Sequence, residues 1–180
     1  MKKIAFAVCL IIISCQCFAG NLDLVNKVTN KEFIEKNGKL ILADNITEND
    51  YNEMINYYLK TDGPNSSQAK QLIPLVNSAN SGSAVVGISY FQAKFFCGWL
   101  SENIQLKLKS YSIEHPTENV PHHIIFKLAT EEEIKSIDNL KFNEITKTEG
   151  VAIDKNKKTI NYTKPNDRMS FRIIVSEIRQ

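Results

Sequence analysis

The side chains best suited to chemistry in this 180-residue chain are three histidines, the cysteine Cys97 and the run Glu131-Glu132-Glu133. A metal site, a nucleophile and an acid/base pair are the chemistries they could supply. His122 and His123 are adjacent, so on a strand they point to opposite faces and cannot close on one ion together with His115. A tetrahedral site would have to draw carboxylates from elsewhere, and no metal is expected. Cys97 lies among Phe95, Phe96 and Trp99, which favours a buried thiol acting as a small hydrophobe. A nucleophilic cysteine also needs a base at hand, and no histidine is local. The three glutamates follow Thr130 and read as a capping box with an acidic first helical turn. Neither a glycine-rich phosphate loop nor a G-x-S-x-G elbow occurs.

The elements that must carry these residues divide the chain into a helical first half and a strand-rich second half. Thr47 caps a helix whose Tyr51, Met54, Ile55 and Tyr58 follow the i, i+3, i+4, i+7 spacing, with Gly63 and Pro64 beyond its end. A second helix starts near Ser66 or Ser67 and carries Leu72, Ile73 and Val76, with Pro74 kinking it or marking its first turn. Ala84 to Ile88 is a short apolar run, and Tyr90 to Leu100 is either helix or irregular aromatic packing. From Ile104 the period shifts to two: Ile104, Leu106 and Leu108 alternate with polar residues, which predicts a strand with Ser110 and Ser112 on the same face. His122 to Ala129 predicts a mostly buried strand and Thr130 to Ile137 a short helix. Val151 to Ile153 and Thr159 to Tyr162 predict a hairpin, and Met169, Phe171, Ile173 and Val175 a last strand. Helices first and strands afterwards define an α+β class rather than alternating βαβ units.

At the N-terminus, Lys2-Lys3, the apolar run Ile4 to Ile13 and the ending Cys17-Phe18-Ala19 have the form of a secretory signal peptide over residues 1–19. The apolar run is too short for the roughly 20 residues of a membrane span. The expected product is a single α+β domain over residues 20–180, secreted or periplasmic. An alternative is a lipoprotein, because Ile12-Ile13-Ser14-Cys15 is similar to a bacterial lipobox; only lipidation at Cys15 would then give a membrane partner. Cys97 alone cannot form an internal disulfide, so the core must hold the domain. The chain has 22 basic and 20 acidic residues, and loss of Lys2 and Lys3 with a leader balances them. A neutral domain argues against nucleic acid as partner, since phosphate binding needs clustered cations.

The order of elements resembles the ADP-ribosyltransferase family, in its arginine-Ser-Glu toxin and ectoenzyme branch. The resemblance is carried by Tyr51-Asn52-Glu53-Met54-Ile55-Asn56-Tyr57-Tyr58-Leu59, by the Ser110-Tyr111-Ser112 pattern, by Ile124 to Leu128 as an apolar strand, and by Glu144 to Ile153 as a carboxylate-bearing turn before a strand. It implies NAD as substrate, Ser110 and Ser112 lining the NAD pocket, and Glu149 or Glu144 polarising the ribose, with ADP-ribose passed to a protein acceptor. The sequence departs from that pattern at the family's NAD-gripping arginine, where Val86 stands, and no arginine precedes Arg168. A lysine does not replace the bidentate guanidinium. The alternative function is a non-catalytic periplasmic or lipid-tethered binding or immunity protein. A cleft lined by Ser110, Ser112 and a carboxylate would mark the first reading, and an exposed apolar patch around Phe91, Phe95 and Trp99 the second.

Overall fold

The computed structural model describes residues 22–74 and 83–179. The expected leader, its cleavage and lipidation sites, and Val76 of the expected second helix fall outside these residues. Among the described residues no helix is long and apolar enough to cross a membrane.

Among the described residues there are five helical segments, and four of them begin at side-chain caps that the chain supplies itself. The first, α1, covers residues 22–29. The second, α2 (Glu48–Thr61), starts where the Asp50 N–H donates to Thr47 Oγ1 at 3.2 Å and the Thr47 N–H donates back to Asp50 Oδ2 at 3.1 Å. Tyr51 and Met54 are its buried residues, as the spacing predicts. The third, α3 (Ser67–Leu72), is capped by Ser66 and ends before Pro74, so the proline stops the helix instead of bending it. Ala84 to Ile88 forms no strand. Ala84 makes one isolated bridge to Thr47, the Val85 N–H donates to the Ile46 carbonyl at 2.8 Å, and Val85 and Ile88 are buried in the core.

The long helix α4 (Tyr90–Glu114) corrects the reading of the middle of the chain. A Ser89–Gln92 capping box begins it, and it runs through the segment expected to be a strand with Ser110 and Ser112 on one face. Ile104 and Leu108 are buried because they lie one turn apart on a helix, while Leu106, between them, is 68% exposed. Glu102, Gln105, Lys107 and Lys109 are good helix formers that sustain the helix where the apolar residues imitate a strand.

Two four-stranded sheets complete the α+β architecture, together with α5 (Glu131–Lys135). In the first sheet β1 (Phe33–Lys36), β2 (Lys39–Leu42), β8 (Ile173–Arg179) and β3 (His123–Leu128) lie in that order, all antiparallel. The β1–β2 hairpin, absent from the sequence reading, turns on Asn37 and Gly38, both at positive φ (53° and 72°), as a two-residue hairpin turn requires. In the second sheet β6 (Thr159–Asn161), β5 (Val151–Ile153), β4 (Asn143–Ile145) and β7 (Met169–Phe171) follow in order, with β4 and β7 parallel. The expected last strand is thus two strands, β7 and β8, divided at Arg172 where the chain passes between the sheets.

The main core lies between α4, α2 and the sheets, and gathers Tyr51, Phe96, Ile124, Phe126, Phe171 and Ile173. A second cluster, around Ile41, Ile134, Ile153 and Ile174, sits under α5 on the other side of the first sheet. Helix α4 is pinned to β3 at a register slip between Ile125 and Phe126. There the buried Ser101 hydroxyl donates to the Cys97 carbonyl at 2.7 Å and accepts from the Phe126 N–H at 2.9 Å. Ser176 on the opposing strand donates to the Ile125 carbonyl at 3.2 Å. Two serines therefore satisfy backbone groups that the bulge removes from a regular ladder.

Candidate functional site

The four residues expected to surround NAD do not form one constellation. Ser110 and Ser112 lie two residues apart on α4, so they face roughly opposite ways, and their strand is corrected to a helix. Ser110 is exposed and borders a shallow groove against α1 with Lys27 and Tyr111. The Ser112 hydroxyl donates to the Lys109 carbonyl at 2.8 Å, within its own helix. Glu149 is exposed in the turn that precedes β5, so the expected turn before a strand is present there. Its near neighbour is Tyr162, whose buried hydroxyl has no hydrogen-bond partner and whose pKa is pushed up to about 12, by burial first and then by Glu149 and Tyr90. Among the described residues no group of three or more His, Cys, Asp and Glu side chains is placed to hold a metal. Cys97 is buried, and burial pushes its thiol up, away from the reactive thiolate.

Glu144 is the most deeply placed of the candidates, with its side chain 0% exposed. Arg172 Nε donates to Glu144 Oε1 at 2.7 Å, and its Nη1 donates to the carbonyls of Leu42, at 3.2 Å, and Ala43, at the end of β2. The pair thus ties β4 of one sheet to β2 of the other at the point where β7 becomes β8. Glu144 Oε2 meets no donor at hydrogen-bonding geometry, and the Asn45 amide beside it donates instead to the Phe171 carbonyl at 3.4 Å. The Ser170 hydroxyl, across the parallel β4–β7 register from Glu144, is also buried without a partner. Burial raises the Glu144 pKa above its ordinary value, and the charge and hydrogen bond of Arg172 oppose the rise. A carboxylate enclosed this way orders the two sheets and has no surface through which to meet a ribose.

What the helical side does present is aromatic. Phe91 is 63% exposed, Tyr57 47% and Phe95 38%. Tyr57 contacts Tyr58 at 5.2 Å between ring centroids, Tyr58 contacts Phe95 at 5.5 Å, and Phe91 lies one turn from Phe95 against Tyr90 at 5.4 Å. The rings run from the C-terminal part of α2 onto the first turns of α4. Gln92 Nε2 donates to the Gln71 and Ile73 carbonyls, each at 3.0 Å, which ties the end of α3, with its exposed Ile73, to the first turn of α4. Trp99, expected in the same patch, is buried instead, with its ring 5.5 Å from Phe96. Helical spacing explains the split: Phe91 and Phe95 share one face of α4 while Phe96 and Trp99 turn inward. Tyr58, placed by its spacing on the apolar stripe of α2, is half-buried against the core, and its exposed neighbour Tyr57 lies off that stripe.

Fold and surface together define an α+β protein with a two-sheet core and an aromatic helical face. No protein-family model, curated protein or solved structure matches the chain.

Proposed function

We propose that this chain is an exported, non-catalytic binding protein that docks a protein partner on the aromatic face of α2 and α4. The observation that carries the reading is the exposure of Tyr57, Phe95 and Phe91 on neighbouring helices, with the half-buried Tyr58 joining Tyr57 to Phe95 by ring contacts across α2 and α4. Aromatic side chains bring large apolar area at little entropic cost and dominate the energetics of protein interfaces. A partner presenting aliphatic or aromatic side chains would cover them, with Ile73 at the border. The chain's own charged interior supports the same reading, since Glu144 and Arg172 are enclosed and engaged with each other. A transferase acting on NAD is the lesser reading. It asks the serine pair and a carboxylate to meet, whereas Ser110 faces α1, Glu144 is enclosed and Glu149 lies beside Tyr162.

The test is site-specific photo-crosslinking in the producing cell, with a benzoylphenylalanine at position 91 or 95 and, as control, at the exposed Ile113 of the same helix. A discrete adduct at 91 and 95 but not at 113, weakened in a variant with the exposed Tyr57→Ser that keeps its unfolding midpoint, is the expected result. Absence of any adduct at 91 and 95, or Glu149-dependent consumption of NAD by the purified protein, would overturn the reading.

A further inference from the structure

The first sheet carries a different kind of surface on the face away from α4. Phe126 and Leu128 point into the core, so by the period of two Lys127 points to the opposite side. Lys39 reaches that side from the start of β2, immediately after the Asn37-Gly38 turn. Lys147 is held there from the segment after β4, because its backbone N–H donates to the Ala129 carbonyl at 2.8 Å. Three ammonium groups from three separate elements therefore border one cavity of about 440 Å³, with Ile174 and Ser176 of β8 also in its lining. A volume of that order falls within the roughly 300–1,000 Å³ range of small-molecule sites.

The carboxylates of the cavity are already engaged. Glu133 accepts from Lys39 at 2.5 Å and from the Thr130 N–H at 2.8 Å. Glu177 accepts from Arg179 through both of its oxygens, at 2.7 and 3.1 Å. Lys127 and Lys147 have no ion pair among the described residues, although both face the same space. Glu177 offsets part of the charge of Lys127, but the cavity keeps three ammonium groups against two carboxylates, and an anion seated between Lys127 and Lys147 balances that surplus while gaining charge-assisted hydrogen bonds.

We propose that this cavity binds a small organic anion, its carboxylate or phosphate head held by Lys127 and Lys147 and its body laid along Ile174 and the aliphatic stems of the lysines. A cation is excluded by the surplus of ammonium groups, and a macromolecular polyanion by the concave shape and the balanced charge of the described residues, which leave out Lys2 and Lys3. The site is separate from the aromatic face and stands or falls independently of it.

The experiment is a titration of the isotope-labelled protein, followed by amide NMR at constant ionic strength, with inorganic phosphate in one arm and octanoate in the other. Saturable shifts confined to the amides around Lys39, Lys127, Lys147 and Ser176 are expected in at least one arm. Saturation by phosphate alone assigns recognition to the head group, and saturation by octanoate alone assigns it to a carboxylate with an apolar tail. Lys127→Gln/Lys147→Gln should weaken binding by about tenfold or more, as loss of charge-assisted contacts implies. The charge-matched Lys70→Gln/Lys109→Gln variant should bind as the parent does. No saturable shift in either arm up to about 10 mM, or equal binding by the Lys127→Gln/Lys147→Gln variant with an unchanged unfolding midpoint, overturns the proposal.

Discussion

Replacing Arg172 with methionine should cost about 3–5 kcal/mol of folding stability, because an enclosed carboxylate would be left without its counter-charge. Arg172 also donates to the Leu42 and Ala43 carbonyls, so methionine removes the donor that satisfies the end of β2 as well. Each acceptor left without a donor adds a penalty on the order of 1–3 kcal/mol where water cannot reach it. Glu144→Gln should be milder, since the guanidinium keeps both carbonyls. The double variant Arg172→Met/Glu144→Leu should recover part of the loss by removing the stranded charge, yet fall short of the parent because the carbonyls stay unpaired. A coupling of about 1 kcal/mol or more between the two positions is expected in the resulting cycle. Trp99, the single tryptophan of the chain and buried beside Phe96, reports unfolding in urea by its fluorescence. A pH arm separates this account from simple loss of packing. Burial already raises the Glu144 pKa in the folded protein, so its contribution is present below the unfolded pKa and is lost as pH rises through the folded one. Without Arg172 that pKa rises further, and the deficit of the variant should shrink between about pH 7.5 and about pH 5. A deficit below about 1 kcal/mol, the range of exposed pairs, or one that grows towards acid, would refute the reasoning.

Two further outcomes follow from the same interior logic. Ser101→Ala removes the acceptor of the buried Phe126 N–H at the β3–β8 bulge and should cost about 1–3 kcal/mol in urea unfolding, well above the small cost of the lost hydroxyl alone; a change under 0.5 kcal/mol would mean the bulge repairs itself. For Asp50 and Glu133, burial alone would raise the pKa, but donors outweigh it, Lys31 and Thr47 on Asp50 and Lys39 and Thr130 on Glu133. Both pKa values are lowered, so their stabilisation is present above the ordinary carboxylate pKa and is lost as pH falls through the depressed one. Lys31→Gln should therefore flatten the acid side of the stability profile measured by urea midpoint, and an unchanged acid slope would count against it.

The parts of the fold legible in the sequence were those fixed by short-range chemistry. Thr47 and Thr130 announce their helices through residues three positions on, and Asp154 to Lys158 announces the β5–β6 turn, where Asp154 Oδ1 accepts from the Asn156 and Lys158 N–H groups at 2.9 and 2.8 Å. Two equally local signals were available and passed over. Asn37-Gly38 between Phe33-Ile34 and Leu40-Ile41-Leu42 marks a hairpin, and Ser89-x-x-Gln92 marks the start of α4. Ile104, Leu106 and Leu108 were ambiguous on physical grounds, since residues four apart share a face in a helix as they do in a strand, and only burial separates Leu106 from the other two. The Glu144–Arg172 pair was beyond reach, because it joins residues 28 positions apart through a change of sheet. Arg172 falls on the polar phase of the alternation of Met169, Phe171, Ile173 and Val175, so the pattern gives no sign that it is buried. The candidate site suffered most from this, since its serines depended on a strand that is a helix.

The proposal of recognition in place of catalysis draws on how polar and apolar groups are distributed, and needs no relative for comparison. A catalytic carboxylate must combine a perturbed environment with access, so that the group is both tuned and reachable. At Glu144 tuning comes without access. Burial raises the Glu144 pKa and its side chain is 0% exposed, while Glu149 is exposed in a surface turn near Tyr162. The enclosed pair serves a structural need instead, because the step from β7 to β8 moves the chain between sheets and leaves the carbonyls of Leu42 and Ala43 without ladder partners unless Arg172 supplies donors. Its charge must then be balanced, and Glu144 on the neighbouring strand does so. On the outside the pattern is reversed: rings that could have filled the core lie on the helical surface, where each is stabilised only when something covers it. An interior that uses its ions for architecture and a helical surface that leaves Phe91, Phe95 and Tyr57 exposed are the two observations on which the proposed binding function rests.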